Sequence, residues 1–128
     1  MPEPRDELTM PLLEEQTDVI GGPTTLALAG ATVEYTYSTG GQYRMTFGAH
    51  ELVFHRWDYP GAEEIGPVPY RAREIREELF LVSWLMKPGV HTAMLFDFRS
   101  AAVHTTAVVP PNQWEFFDIG EITRVDRG

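Results

Sequence analysis

The stretch from Ala31 to Phe47, ATVEYTYSTGGQYRMTF, predicts a β-hairpin and indicates the fold class of the chain. Apolar and aromatic residues alternate with polar ones on both sides of a glycine turn, which is typical of two strands with one buried face. A loop of odd length, either residues 38–40 or residues 38–42, places the aromatic residues of both strands on that face. The shorter loop also places Glu34 opposite Arg44 on the outer face as an ion pair.

Three tyrosines converge on the buried face of this hairpin: Tyr35, Tyr37 and Tyr43. A buried tyrosine hydroxyl needs a hydrogen-bond partner. Two interpretations stay open at this point. Either the hydroxyls pair with neighbouring side chains, or they line a cavity and contact a ligand.

Period-two segments continue to the C terminus, with glycine and proline breakers between them. The predicted strands are residues 31–38, 42–48, 51–58, 68–76, 79–86, 90–98, 102–109 and 112–118, with a weaker ninth at 121–125. Short connections throughout favour an all-β, antiparallel up-and-down barrel of eight or nine strands over a sandwich. A barrel of eight strands either fills with side chains or holds one small ligand.

The third predicted strand has two possible registers. A four-residue loop at 48–51 turns Leu52, Phe54 and Arg56 inward and places Arg56 opposite Tyr43. The alternative turns Val53, His55 and Trp57 inward and leaves Arg56 outside. The apolar row favours the first register, although an inward arginine is costly unless it is paired.

The chain divides into an acidic N-terminal segment, residues 1–23, and the barrel, residues 24–128. The segment is expected to be a tail or a short helix over residues 12–20 that covers one end of the barrel, because Gly21-Gly22-Pro23 would end such a helix. Six acidic residues and one arginine in residues 1–20 carry -5 of the net charge of -9.

The negative net charge argues against nucleic acid and against anionic membrane surfaces as partners. The chain contains no cysteine, so disulfides and thiolate chemistry are excluded. No signal peptide and no apolar run of membrane-spanning length is visible. We therefore expect a cytoplasmic protein.

No metal site or cofactor is predicted. The four histidines, His50, His55, His91 and His104, lie on separate elements; the one arrangement left open combines His91 and His104 with Asp97. Neither a P-loop nor a Gly-x-Gly-x-x-Gly motif occurs, and no serine has the glycine elbow of a hydrolase.

Two stretches, VEYTYSTGGQY at residues 33–43 and FLVSW at residues 80–84, resemble the MoaF-like family of lipocalin-like (calycin) barrels. They also resemble, more distantly, the bacterial phenolic acid decarboxylases. The decarboxylase resemblance assigns Tyr35 and Tyr37 to the substrate carboxylate and places Met86 at the catalytic glutamate. Because methionine cannot transfer a proton, the resemblance implies the barrel and a tyrosine-lined cavity but not that reaction.

These observations predict binding of a small, partly apolar organic molecule inside the barrel. Its polar end would be oriented by the tyrosines and Arg56, and the predicted ligand-binding residues are Tyr35, Tyr37, Tyr43, Met45, Phe54, Arg56, Trp84 and Phe96. The alternative is a cofactor-independent lyase, isomerase or cyclase in the same cavity, with Tyr35 and Tyr37 as catalytic acid/base groups or oxyanion donors. A third interpretation is an interaction module with a filled barrel, homodimeric through an edge strand.

Overall fold

The structure, a computed structural model, describes residues 21–58, 60–86 and 89–128. Eight antiparallel strands form a closed barrel in the order of the sequence, because β8 pairs with β1. The strands are β1 Thr32–Tyr37, β2 Gln42–Phe47, β3 Glu51–Arg56, β4 Ile65–Arg76, β5 Leu79–Met86, β6 Val90–Asp97, β7 Ala102–Val109 and β8 Trp114–Asp126.

The predicted up-and-down barrel is confirmed, with eight strands. Residues 112–118 and 121–125 were predicted as separate strands, but both belong to β8. Gly120 does not interrupt β8, because it pairs with Val103 on one side and with Tyr37 on the other. The pairing on both sides carries the strand through the glycine.

The first hairpin has the shorter of the two odd loops, residues 38–40. Gly40 has a φ of 105°, a left-handed conformation that favours glycine in a three-residue hairpin loop. Glu34 faces Arg44, and the Arg44 Nε lies 3.0 Å from Glu34 Oε2. The predicted ion pair on the outer face is therefore confirmed.

The third strand adopts the first of its two predicted registers. Leu52 pairs with Phe47, Phe54 with Met45, and Arg56 with Tyr43. Arg56 thus belongs to the inner row, at the end of that row.

The two ends of the barrel are packed differently. At the closed end, where β1 begins and β2 ends, the interior is filled by side chains that are almost fully buried: Leu28, Val33, Phe47, Leu52, Phe80, Phe96 and Val103. Leu28 lies in the turn before β1 and is completely buried beside β2, where the Gly30 N–H donates to the Phe47 carbonyl. The opposite end, which we call the mouth, is where β1 ends and β2 begins.

The described residues contain no helix. The predicted helix over residues 12–20 lies outside the described part of the chain. Among the described residues, no helix has the length and apolar character needed to cross a membrane. The closed order of β1 to β8 leaves none of these strands with a free edge, so a homodimer, which stays a prediction, would need a face of the barrel instead.

Candidate functional site

The mouth is surrounded by apolar side chains that are only partly buried. Five of them pack against the fully buried core from the ends of β2, β3, β5, β6 and β8: Tyr43, Phe54, Met86, Val90 and Phe116. Their side chains lie on the inner face because each strand continues the alternation of its buried row. The mouth is therefore less tightly packed than the closed end.

Two of the three hairpin tyrosines are hydrogen-bonded inside the barrel. The hydroxyl of Tyr37 lies 2.7 Å from Thr105 Oγ1, on the opposite side of the interior. The hydroxyl of Tyr35 donates to that of Tyr37. Tyr35, Tyr37 and Thr105 are all buried, so this chain of hydroxyls satisfies groups that water does not reach.

Burial has a clear consequence for the ionisation of these tyrosines. Loss of solvation raises the pKa of Tyr35 well above its usual value, and neighbouring Tyr37 raises it further. Loss of solvation also raises the pKa of Tyr37, although hydrogen bonds from Thr105 and Tyr35 oppose the shift. Both phenols therefore stay protonated at neutral pH and act as hydrogen-bond donors rather than as bases.

The aromatic rings form a continuous column from the mouth to the closed end. The ring of Tyr37 lies 5.0 Å from Phe116 and 5.3 Å from Tyr35, both edge to face. The ring of Tyr35 stacks on Tyr43 at 5.8 Å and lies 6.1 Å from Phe96. These geometries are favourable for aromatic pairs and hold the tyrosine wall in place.

Trp84 places an unpaired donor in this interior. It lies on the inner face of β5, and its ring is 5.1 Å from that of Phe54. The Nε1 atom is buried, and none of the described residues accepts a hydrogen bond from it. A buried donor without a partner is uncommon in folded proteins and is a candidate contact for a bound molecule.

Arg56 lies at the rim of the mouth rather than deep inside the barrel. Its side chain is 45% exposed, and its Nε lies 3.3 Å from Asp58 Oδ1. Loss of solvation raises the pKa of Asp58, but hydrogen bonds from the Gln42 backbone and from Arg56, together with the charge of Arg56, outweigh that effect, so the pKa is lowered. The position at the end of the row and the pairing with Asp58 explain how an inward-facing arginine is accommodated.

Asp118 attaches the loop of the first hairpin to β8. It accepts hydrogen bonds from the Ser38 hydroxyl and, at 2.8 Å, from the Thr39 hydroxyl. The Ser38 hydrogen bond is the main reason that the pKa of Asp118 is lowered. This contact fixes the loop that borders the mouth next to Tyr37.

The structure places all eight predicted ligand-binding residues on the inner face, but not in one group. Met45 and Phe96 are almost fully buried toward the closed end, where they belong to the packed core. The other six lie nearer the mouth: Tyr35, Tyr37, Tyr43, Phe54, Arg56 and Trp84. Their roles toward a ligand stay predictions.

Sequence reasoning missed Thr105, Phe116 and Asp118, which lie around the same tyrosines. Thr105 is a polar residue in the inner row of β7, between Val103 and Ala107. A polar residue in an otherwise apolar row was the sequence signal that could have identified Thr105. The contact between Asp118 and Ser38 joins residues too far apart in sequence for the pattern to reveal it.

The histidines do not converge. His91 pairs with Val108 and His104 with Leu95, so the two occupy different positions along the shared β6–β7 ladder. The described residues contain no group of three or more histidine, aspartate or glutamate side chains placed to hold a metal ion.

Comparison with known proteins agrees with the barrel fold. A family model described as MoaF-like matches residues 29–119, which include seven of the eight strands and the first part of β8. The chain belongs to the MoaF-like family. The stretches at residues 33–43 and 80–84, which carried the resemblance in the sequence, both lie within the matched range.

A solved structure has the same fold as this chain. The crystal structure of a candidate beta-lactamase from Burkholderia vietnamiensis has a TM-score of 0.67 to this chain at 16% sequence identity, and the match covers 75% of this chain and 93% of the other. At this identity the likeness concerns the fold alone. No curated protein matches the chain significantly.

Proposed function

We propose that this protein binds a small, partly apolar organic molecule at the mouth of its barrel. The observation that carries the proposal is the buried Nε1–H of Trp84, which has no acceptor among the described residues. Such a donor costs about 1–3 kcal/mol when it is left unsatisfied. A ligand oxygen that accepts this hydrogen bond would recover much of that cost.

The surrounding side chains support a ligand with an apolar body. Phe54, Met86 and Phe116 are half-buried and form apolar wall around Trp84 and Tyr37. Methionine is flexible and fills irregular spaces, so Met86 can move aside when a molecule enters. Tyr43 and Arg56 at the rim would orient the polar end, as the sequence predicts.

Catalysis in the same place, by a lyase, isomerase or cyclase, stays the alternative prediction. The raised pKa values of Tyr35 and Tyr37 favour hydrogen-bond donation over proton abstraction. Both hydroxyls already take part in hydrogen bonds within the barrel, and Met86 offers no proton. Binding is therefore the function that the described side chains support best. The cytoplasmic location likewise stays a prediction.

The indole N–H signals of the three tryptophans provide a direct test. A ¹⁵N-labelled sample shows one indole N–H signal for each tryptophan. Trp84 is buried, whereas Trp57 and Trp114 are 42% and 59% exposed. Benzaldehyde and styrene have nearly the same shape, but only benzaldehyde carries an acceptor oxygen. We expect benzaldehyde to shift the Trp84 signal at lower concentration than styrene does.

Trp84→Phe is the matched variant, because it keeps an aromatic ring and removes the donor. Loss of one hydrogen bond, about 0.5–1.5 kcal/mol, should weaken benzaldehyde binding about 2- to 13-fold. Styrene binding should change much less. If the variant weakens both probes equally, or if neither probe shifts the Trp84 signal of the wild-type protein, the proposed role of the donor is wrong.

A further inference from the structure

The outer face of β5 to β8 carries an open groove that is separate from the mouth. Two rows of outward side chains cross these four strands, since Leu81 pairs with Leu95 and Ser83 pairs with Ala93. The rows continue through β7 to Phe117 and Ile119 on β8, which are 86% and 48% exposed. The groove has a volume of about 460 Å³. Its floor is mostly small or apolar, and exposed apolar surface of this kind marks an interaction site.

The described chain begins at one end of this groove. Gly21 lines a smaller pocket of about 170 Å³ together with Leu81 and Ser83, and Leu81 also lines the groove. Arg73 holds the backbone there by hydrogen bonds to the carbonyls of Gly21 and Pro23, the latter at 2.7 Å. Gly21, the residue that follows the segment, is therefore held next to the groove.

The length and composition of the preceding segment match the groove. Residues 12–20, LLEEQTDVI, have apolar side chains at both ends, and residues 1–20 carry a net charge of -5. Four strand spacings separate β4 from β8, or about 19 Å, and nine extended residues span about 30 Å. The segment is long enough to cross the whole groove.

Charge also favours this segment as the occupant of the groove. Arg71 and Arg73 pair with Ser83 and Leu81, which places them on the outer face of β4, beside Gly21. An acidic segment is attracted to them, whereas two copies of a protein with a net charge of -9 repel each other. A tethered segment also has a high effective concentration at the groove.

We propose that residues 12–20 of this chain bind in the groove on the outer face of β5 to β8. The apolar residues of the segment cover Leu81, Leu95 and Phe117, and Asp18, its acidic residue nearest to Gly21, lies toward Arg71 and Arg73. The segment then covers one wall of the barrel, not one of its ends.

Because the chain has no cysteine, a nitroxide label can be attached at one chosen position of the full-length protein. Glu15→Cys places the label in the polar middle of the segment. In ¹H–¹⁵N spectra, the amide signals of Ala93, Thr106 and Phe117 should lose most of their intensity, while that of Thr46 on the far wall should keep it. Full intensity at the groove positions would overturn the proposal.

Two controls separate the segment from other occupants. Phe117→Ser should restore the intensity at Ala93 and Thr106, whereas Ile75→Ser, which removes another half-exposed apolar side chain, should leave the loss unchanged. The labelled chain is then mixed with ¹⁵N-enriched chain that carries no label. Intensity loss in this mixture would mean that a second copy occupies the groove, which would overturn the proposal.

Discussion

Removal of the Tyr37 hydroxyl should destabilise the protein more than removal of the Tyr35 hydroxyl. Tyr37 is in the middle of the hydrogen-bonded chain, since it accepts from Tyr35 and pairs with Thr105 at 2.7 Å. Tyr37→Phe therefore breaks two hydrogen bonds, each worth about 0.5–1.5 kcal/mol, and leaves buried polar groups unsatisfied at further cost. We expect a loss of about 2–4 kcal/mol in the free energy of unfolding. Tyr35→Phe breaks one bond, so its cost should be about 1 kcal/mol.

Urea denaturation at equilibrium measures both changes. With a slope of about 2 kcal/mol per M, a loss of 3 kcal/mol lowers the unfolding midpoint by about 1.5 M. Thr105→Val removes the other partner, and in the double variant Tyr37→Phe/Thr105→Val the two costs should not add, because both changes break the same bond. Equal midpoints for Tyr37→Phe and Tyr35→Phe, or fully additive costs, would refute the chain of hydroxyls.

Three further predictions concern pH and close packing. The unfolded chain loses its tyrosine protons near pH 10, while the folded protein keeps those of Tyr35 and Tyr37. The stabilisation that each phenol contributes is therefore complete below pH 10, and above it the free energy of unfolding should fall by about 1.4 kcal/mol per pH unit for each phenol. Tyr35→Phe should make that slope less steep by about 1.4 kcal/mol per pH unit in alkaline urea titrations, and a flat profile would contradict the raised pKa values. Gly120→Ala should cost about 1–3 kcal/mol in the same assay, because its Cβ would lie 2.9 Å from a valine methyl, whereas Gly21→Ala, with open space around it, should be nearly neutral. The lowered pKa of Asp118 implies a stabilisation that is present above about pH 4 and lost as pH falls further, so Asp118→Asn should make acid unfolding less steep; an unchanged acid limb would argue against the Ser38 contact.

Much of the barrel could be predicted because strand alternation is a local property. The first hairpin illustrates this: side chains two residues apart share a face, so the row of Tyr35 and Tyr37 follows from the sequence pattern. The turn at Gly40 then limits the loop to a few lengths, and only odd loops keep Tyr43 in the same row. Even the inner register of Arg56 follows from the apolar residues on its strand.

Boundaries were predicted less well where pairing overrides a local signal. Two separate strands were predicted on either side of residues 119–120, yet Gly120 lies inside β8 with partners on both sides. A glycine weakens a strand, but hydrogen bonds from two neighbouring strands outweigh that preference. Of these neighbours, β7 precedes β8 along the chain, but β1 becomes adjacent to β8 only when the barrel closes.

Local alternation predicts most of the strands, the inner rows and the tyrosine wall, because each depends on residues that are neighbours along the chain. The contacts of the polar groups in that wall follow from the tertiary structure alone. Tyr37 pairs with Thr105, 68 residues away, while the Nε1–H of Trp84 finds no acceptor among the described residues. Hydrogen bonds act over about 3 Å, so they depend on how closure of the barrel brings distant side chains together. No local pattern carries that information.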